Sequence, residues 1–310
     1  MHLKALTSIA ELATVPGPVF LAIGVFDGVH LGHKAVIRRA LDDAKKAGGS
    51  AVVVTFDPHP MRTLRPEHAP RLLTSTPHKT RLIRELGVGH LLIIHFDRAF
   101  ANTAPEDFIL GLGNACKPLR EICVGHQWSF GKNRAGSLEM LKTWGDKLGF
   151  DEVGVDAVTL DGEVVSSTLI RGLVEAGDLA KASRLLGREF TVFGTVVEGK
   201  HLGRQLGFPT ANLRTHNEQF PPDGVYAVEA FHNGETHRGV VNIGIRPTVE
   251  NQSGERLLEV HLFDFAKDIY GEDIEVAFRK FLRPEKKFAG LDELKSQIAQ
   301  DTTAARAIFS

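Results

Sequence analysis

The hydrophobic period of this chain changes once, near residue 187, and the change divides what it can fold into. Before that point short apolar runs alternate with helical patterns, which is how a parallel α/β sheet is written. Runs at 19–25, 51–56, 91–96 and 121–124 predict buried strands. Between the first two, Val36, Ile37, Ala40, Leu41, Ala44 and Ala47 recur at helical spacing, and Gly48-Gly49 ends the pattern. Thr103-x-x-Glu106, with Pro105 inside it, reads as a capping box, and Leu138, Leu141, Trp144 and Leu148 mark a further helix. A last helical pattern starts at Thr168, is interrupted at Gly177-Asp178 and finishes at Gly187. Beyond Arg188 the period is two: Phe190, Val192, Gly194 and Val196 alternate with other residues, as do Leu258, Val260 and Leu262, and Ile274, Val276 and Phe278. Asn233-Gly234 predicts a type I′ hairpin between strands at 225–231 and 238–243. A closing helix over 291–300 completes a small antiparallel β-barrel. We expect two domains, 1–186 and 187–310.

At 310 residues each half can hold its own core. Lys plus Arg number 37 against 38 Asp plus Glu, so no net positive field draws the chain to nucleic acid or anionic lipid, and any anion must be held by a local site. The first residues lack an apolar stretch of signal-peptide length, and no run approaches the ~20 apolar residues of a membrane span, which leads us to expect a cytoplasmic protein. Cys116 and Cys123 form no Cys-x-x-Cys, and Cys123, within Ile122-Cys123-Val124, reads as a buried free thiol.

The segment most concerned with chemistry is Gly24-Val25-Phe26-Asp27-Gly28-Val29-His30-Leu31-Gly32-His33, between a predicted strand and a predicted helix. Its glycines permit a tight turn and close approach to a ligand, and the helix start offers unpaired N–H groups to phosphate. His30 and His33, at i and i+3, fall on one side of the helix entrance, where they can hydrogen-bond non-bridging oxygens of a nucleotide as charge builds on them. Neither a P-loop nor a dinucleotide fingerprint is present; His-x-Gly-His is the pattern of nucleotidyltransferases. Ordinary turn glycines and cap histidines are the alternative reading.

Three other segments of the first half fall at strand or helix ends. Thr55-Phe56-Asp57-Pro58-His59-Pro60 is a proline-fixed loop beside the first motif, or simply a rigid turn. Gly125-His126-Gln127-Trp128-Ser129-Phe130-Gly131 offers a wall for a planar ring, or ordinary core aromatics. Ser166-Ser167-Thr168-Leu169-Ile170-Arg171 sets hydroxyls at a helix start and a cation one turn later, suited to polyphosphate or to a plain cap with a surface arginine.

In the second half, the glycine loop Gly199-Lys200-His201-Leu202-Gly203-Arg204-Gln205-Leu206-Gly207-Phe208 runs into a rigid Pro209-Thr210-Ala211-Asn212 turn. Thr210 and Asn212 are hard oxygen ligands suited to Mg²⁺ that keeps most of its coordination for water and phosphate. Glu259 interrupts an apolar alternation; a carboxylate there can take a proton from a substrate hydroxyl, or can merely face solvent.

Taken together, these residues resemble the bifunctional bacterial riboflavin kinase/FMN adenylyltransferases. The resemblance rests on the segments above and on Gly239-Val240-Val241-Asn242-Ile243-Gly244-x-Arg246-Pro247-Thr248, Leu258-Glu259-Val260-His261 and Leu282-Arg283-x-Glu285-x-Lys287-Phe288, spanning nearly the whole chain. It implies an α/β Rossmann-like nucleotidyltransferase domain followed by a six-stranded barrel of the riboflavin kinase kind with a C-terminal helix. It implies FMN from riboflavin and Mg·ATP in the barrel, then FAD and pyrophosphate from FMN and ATP in the first domain. By the same resemblance Glu259 is the base for the ribityl hydroxyl, Thr210 and Asn212 help bind Mg²⁺ and phosphate, and His30, His33 and Arg171 stabilise charge in adenylyl transfer. Nucleotide contacts are implied for Gly24, Phe26, Asp27, Gly28, Gly32, Ser166, Ser167 and Thr168, and in the barrel for Gly199, Gly203, Arg204, Gly207 and Pro209. Flavin contacts are implied for His59, Pro60, Gly125, Gln127, Trp128 and Phe130, and for Asn242 and Arg246. The expected partners are small molecules, with neither nucleic acid nor membrane among them.

One departure stands out: the family pattern Gly-x-Asp-Phe-x-Phe-Gly here carries Gln127 and Trp128 in place of the acid and the phenyl ring, which implies retuned FMN affinity. Two other readings remain open at this stage. One is a nucleotidyltransferase for another acceptor with the barrel as accessory; the other is a single-strand-binding barrel, against which the balanced charge and the scarcity of Trp and Tyr weigh.

Overall fold

A computed structural model describes residues 3–199, 203, 206–245 and 256–310. Close packing groups the chain into two units: residues 1–71 with 76–167, and residues 72–75 with 168–310.

The first unit is a parallel sheet with helices on both faces. Strands β1 (Lys4–Leu6), β2 (Val19–Ile23), β3 (Ser50–Asp57), β4 (His90–His95), β5 (Leu119–Gly125) and β6 (Asp151–Val155) lie in the order β1-β4-β3-β2-β5-β6, every pair parallel. Alternate residues of each strand face opposite layers. Leu21, Ile23, Val52, Val54, Ile122 and Val124 pack toward α5 (Pro105–Ala115) and α6 (Leu138–Leu148), while Phe20, Ala22, Val53, Leu91 and Cys123 pack toward α1 (Leu31–Lys46) and α3 (Thr76–Glu85). Burial on both faces explains why these strands read as continuous apolar runs. Short helices α2 (Pro60–Leu64) and α4 (Arg98–Ala101) follow β3 and β4.

Two sequence expectations need correction here. The run over 19–25 ends as a strand at Ile23, because Phe26 turns into the left-handed region at φ 53°. The capping box at Thr103 is absent: Ala104 is the N-cap of α5 and makes no side-chain bond. Pro105, with φ preset for a first turn, opens that helix, while the Thr103 backbone is engaged with Phe100 and Lys132.

A short hairpin, β7 (Thr159–Leu160) with β8 (Glu163–Val164), precedes α7 (Ser167–Ala176) and α8 (Leu179–Leu186). The interruption at Gly177-Asp178 is real: Asp178 caps α8 by accepting the Lys181 N–H at 3.0 Å, and Gly187 ends it at φ 63°.

The second unit is a closed antiparallel barrel of β9 (Thr191–Val197), β10 (Ala211–Thr215), β11 (Gly224–His232), β12 (Glu235–Ile245), β13 (Arg256–Leu262) and β14 (Asp273–Arg283), ordered β10-β13-β12-β11-β14-β9. Val192, Leu213, Val228, Val241, Leu258, Val260, Ile274 and Val276 are fully buried in it. Asn233 and Gly234, at φ 47° and 84°, make the expected hairpin turn between β11 and β12. The Pro-Thr-Ala-Asn segment is not itself the turn: the chain turns at Leu206-Gly207, Pro209 and Thr210 are irregular, and Ala211 and Asn212 already belong to β10. The closing helix, α9 (Leu291–Ile308), is longer than its sequence pattern predicts. It is secured to the barrel by a bidentate Arg283–Asp301 pair with contacts of 2.8–3.1 Å, and by Ala305, Ile308 and Phe309 packed with Val225, Ala227, Val240 and Phe263.

Candidate active sites

In the first unit three candidate segments follow the carboxyl ends of three adjacent strands, β3, β2 and β5, where open parallel sheets bind their ligands. After β2 the backbone is forced through an unusual path. Phe26, Gly28 and Val29 have φ of 53°, 85° and 42°, and the last is a β-branched residue in a region such residues avoid. The Phe26 ring folds back so far that a Cβ on Gly24 would meet it at 2.8 Å. The ring then packs edge-on to His33, with centroids 5.3 Å apart.

His30 is the N-cap of α1, its Nδ1 accepting the His33 N–H at 3.3 Å, which places the proton of the neutral ring on Nε2. His30 and His33 stack at 3.5 Å with 19° between their planes. A Cβ on Gly32 would lie 3.2 Å from His30 Cε1, a tight contact with the stacked ring. Asp27 and His30 are both buried. Ser167 Oγ donates to the Asp27 carbonyl at 2.9 Å, which brings a hydroxyl 140 positions away onto the turn that leads to His-x-Gly-His. Arg171 follows one turn later on α7, half-buried, after Thr168.

His59 is the N-cap of α2, accepting the Met61 N–H at 3.2 Å, and Pro60 occupies the first turn. After β5, the Trp128 N–H donates to the Gly125 carbonyl at 2.8 Å. Trp128 stacks on Phe130 at 4.5 Å and 15°, and Phe130 packs on toward Phe108, Phe100, Phe96 and Phe56. Gln127 is exposed, and a Cβ on Gly125 would meet nothing within 4 Å.

Lys79 on α3 was not singled out by any sequence pattern. Its ammonium is buried and donates to Val25 O at 3.0 Å, Thr55 Oγ1 at 2.9 Å and Phe56 O at 3.4 Å. Burial pulls its pKa down to about 8, against the opposing influence of Asp27 and Asp57.

In the barrel, pairing register does what spacing could not foretell. Asn212 of β10 lies opposite Glu259 of β13, and Glu259 lies opposite Asn242 of β12, so the three form one cross-strand row. Directly opposed side chains have Cβ atoms roughly 4.5–5.5 Å apart. The row occupies the face away from Leu258 and Val260, which fill the barrel; Glu259 and Asn242 are half-buried and Asn212 is buried. Two glycines lie close by: a Cβ on Gly199 would lie 1.9 Å from Asn212 Nδ2, and one on Gly203 would lie 3.0 Å from Thr210 Oγ1. His261 Nδ1 bonds the Pro209 carbonyl at 2.8 Å and Gly207 turns at φ 87°, which steadies the approach to Thr210. Arg204 and Arg246 lie outside the described residues.

Next to Thr210 a cavity of about 290 Å³ is lined by Val196, Pro209, Ala211, Val260, Leu262 and residues 265–270. Sequence reasoning missed the 265–270 wall, which carries no motif. Among the described residues no group of three or more His, Cys, Asp or Glu is arranged to hold a metal ion, and no helix is long and apolar enough to cross a membrane.

A parallel-sheet unit with a His-x-Gly-His turn at its carboxyl edge, joined in one chain to a closed barrel with a Thr-x-Asn strand start facing a glutamate, defines a two-site nucleotide-using transferase. A family model described as FAD synthetase matches residues 13–169, and one described as riboflavin kinase matches residues 186–309. The chain is 40% identical over 309 residues to the bifunctional riboflavin kinase/FMN adenylyltransferase of Escherichia coli (strain K12), covering 99% of this chain and 98% of that one. It is 38% identical to the protein of the same description from Bacillus subtilis (strain 168), over 94% and 92% of the two chains. A crystal structure from Streptococcus pneumoniae titled "Macrolide-efflux Protein" is similar with a TM-score of 0.82 and 29% identity, covering 99% of both chains. The chain belongs to the bifunctional riboflavin kinase/FMN adenylyltransferase family.

Proposed function

We propose that the two activities of the family are divided along the chain: residues 187–310 phosphorylate riboflavin with ATP, giving FMN and ADP, and residues 1–186 adenylylate FMN with ATP, giving FAD and pyrophosphate. The observation that carries the reading is the bond from Ser167 Oγ to the Asp27 carbonyl, which supports a shared anion-binding role for the Ser167 hydroxyl and the His-x-Gly-His turn.

In adenylyl transfer an FMN phosphate oxygen attacks the α-phosphorus of ATP, and the bond to pyrophosphate breaks. His30 and His33 at the start of α1, with Arg171, stabilise the added charge on the phosphorus oxygens, and no covalent enzyme intermediate is needed. Gly24, Phe26, Asp27, Gly28, Gly32, Ser166, Ser167 and Thr168 shape the nucleotide side. His59, Pro60, Gly125, Gln127, Trp128 and Phe130 form the flavin side, with the half-buried Trp128 ring, stacked on Phe130, as the platform for the ring system.

In the kinase step Glu259 takes the proton of the ribityl hydroxyl as that oxygen attacks the γ-phosphorus and ADP leaves. Asn242, beside it in the row, and Arg246 hold the flavin. Gly199, Gly203, Arg204, Gly207 and Pro209 form the loop over the phosphates, and the cavity beside Thr210 takes the adenine, its apolar wall of Val196, Ala211, Val260 and Leu262 suiting a planar base. Thr210 and Asn212 fit Mg²⁺: they are hard, neutral oxygen donors under glycine backbone that leaves no room for a side chain, suited to an ion whose charge is matched by phosphate. Once bound, the ion neutralises charge on the transferring phosphoryl group. We assign the protein to the cytoplasm, where ATP is available; the two free, buried thiols support this.

The test is the fate of labelled phosphate. With ATP radiolabelled at the γ-phosphate and riboflavin as acceptor, label enters FMN and is retained in FAD; with label at the α-phosphate, it enters FAD alone. Label from the γ-phosphate entering FAD when FMN is the starting flavin would contradict the adenylyl step, and failure of any γ-label to reach FMN would contradict the kinase step.

A further inference from the structure

Lys79 has no part in the roles above, yet it is the feature of the α/β unit that is hardest to explain as packing. The residue is 5% exposed, and its ammonium donates to neutral acceptors, the carbonyls of Val25 and Phe56 and the hydroxyl of Thr55. Thr55 is fully buried and donates to the same Val25 carbonyl at 2.9 Å. No ion pair reaches Lys79 among the described residues; the charged groups acting on it are Asp27 of the turn and Asp57 at the end of β3. A cation taken out of water without a partner is costly. A neutral amide would satisfy carbonyls as well, so the hydrogen bonds do not account for the charge.

The position does. Val25 leads directly into the Phe26-Asp27-Gly28 turn and the His30–His33 pair, while Phe56 leads through Asp57 into His59-Pro60. Lys79 therefore ties together the strand ends that carry two of the proposed substrate-binding loops, and it sets a fixed positive charge behind them. Inside a protein such a charge is screened less than in water and reaches further.

We propose that Lys79 is a positioning residue for adenylyl transfer: it clamps the carboxyl ends of β2 and β3 in register and draws the anionic phosphates toward the turn without touching them. The inference rests on the assignment of adenylyl transfer to the α/β unit. Its pKa, drawn down to about 8 by burial, makes the effect pH-sensitive: deprotonation removes the charge and loosens the clamp, whereas an arriving polyanion favours the protonated form.

The experiment compares full-length wild type, Lys79→Met and Lys79→Arg in FAD formation from supplied FMN and ATP, with riboflavin phosphorylation by the same preparations as the control for folding. Lys79→Met is expected to raise the KM for ATP and to lower kcat/KM for FAD formation by about tenfold or more while riboflavin phosphorylation is unchanged, and Lys79→Arg to recover part of the loss. Wild-type kcat/KM falls as pH rises through about 8, and this limb is missing in Lys79→Met. Wild-type kinetics in Lys79→Met would overturn the proposal. If Lys79→Met does not fold, the wild-type profile decides alone, and a flat profile across that region overturns it. Should the wild type itself form no FAD from FMN, the assignment of the unit fails; should His30→Ala stop FAD formation while Lys79→Met does not, only the role of Lys79 fails.

Discussion

Both units handle phosphate, but they are equipped for it differently. In the α/β unit a strained turn delivers two stacked imidazoles to the N-terminus of α1, with the buried Lys79 ammonium beneath. In the barrel the proposed residues, Thr210, Asn212, Asn242 and Glu259, are neutral or acidic, and the last three are aligned by strand pairing. The contrast follows the chemistry assigned to each. Adenylyl transfer adds charge to a phosphorus whose attacker is already an anion, so the protein supplies positive potential. Phosphorylation of a hydroxyl needs a base and can take its positive charge from a cation arriving with the nucleotide. On that assignment the proposed first site rests on local backbone strain, and the proposed second on register across three strands.

Removing the single carboxylate of the barrel row should have the largest effect. Glu259→Ala is expected to lower FMN formation by about 10²–10⁴-fold and to leave FAD synthesis from supplied FMN intact; equal loss of both would make the two sites inseparable. His30→Ala should produce the mirror image, lowering FAD formation by about 10²–10³-fold while FMN still accumulates from riboflavin. FAD formation at the wild-type rate in that variant would remove the imidazole from the contrast.

A smaller effect is expected at the flavin wall. Changing Gln127 and Trp128 to Asp and Phe should shift the KM for FMN with little change in kcat, and unchanged steady-state kinetics would place this segment outside the flavin site.

The subtlest test concerns pH and stability. Lys79 titrates near 8 in the folded chain and at its ordinary 10.5 when unfolded, so between those values the unfolded chain binds more protons and stability rises with pH. The cost of the buried cation is fully present below pH 8 and is relieved as pH approaches 10.5. Thermal melts should therefore show wild type gaining on Lys79→Met across this window; parallel curves would mean that the ammonium is not held in a buried, costly state.

The two regions also differ in how much of each was legible in the sequence. The glycines and histidines of residues 24–33 lie within ten consecutive positions, and the turn they predict is present, with Gly24 needed where the Phe26 ring folds back. Period-two alternation and Asn233-Gly234 were likewise enough for a barrel and its hairpin. What was hidden is non-local. Glu259 looked like a solvent-facing strand residue until pairing set it between Asn212 and Asn242. Lys79 lies on a helix whose sequence gives no hint that the side chain reaches the strand ends. The capping box at Thr103 failed for the converse reason, a correct local pattern overridden by backbone bonds to Lys132 and Phe100.

The central claim, that one chain makes FMN in its barrel and FAD in its α/β unit, is tested most directly by chromatography of the flavins formed over time from riboflavin, ATP and Mg²⁺, with a parallel reaction started from FMN. FMN should appear first and then be converted to FAD, and the reaction started from FMN should give FAD without a lag. Accumulation of FMN with no FAD in either reaction, or no flavin product at all, would contradict it.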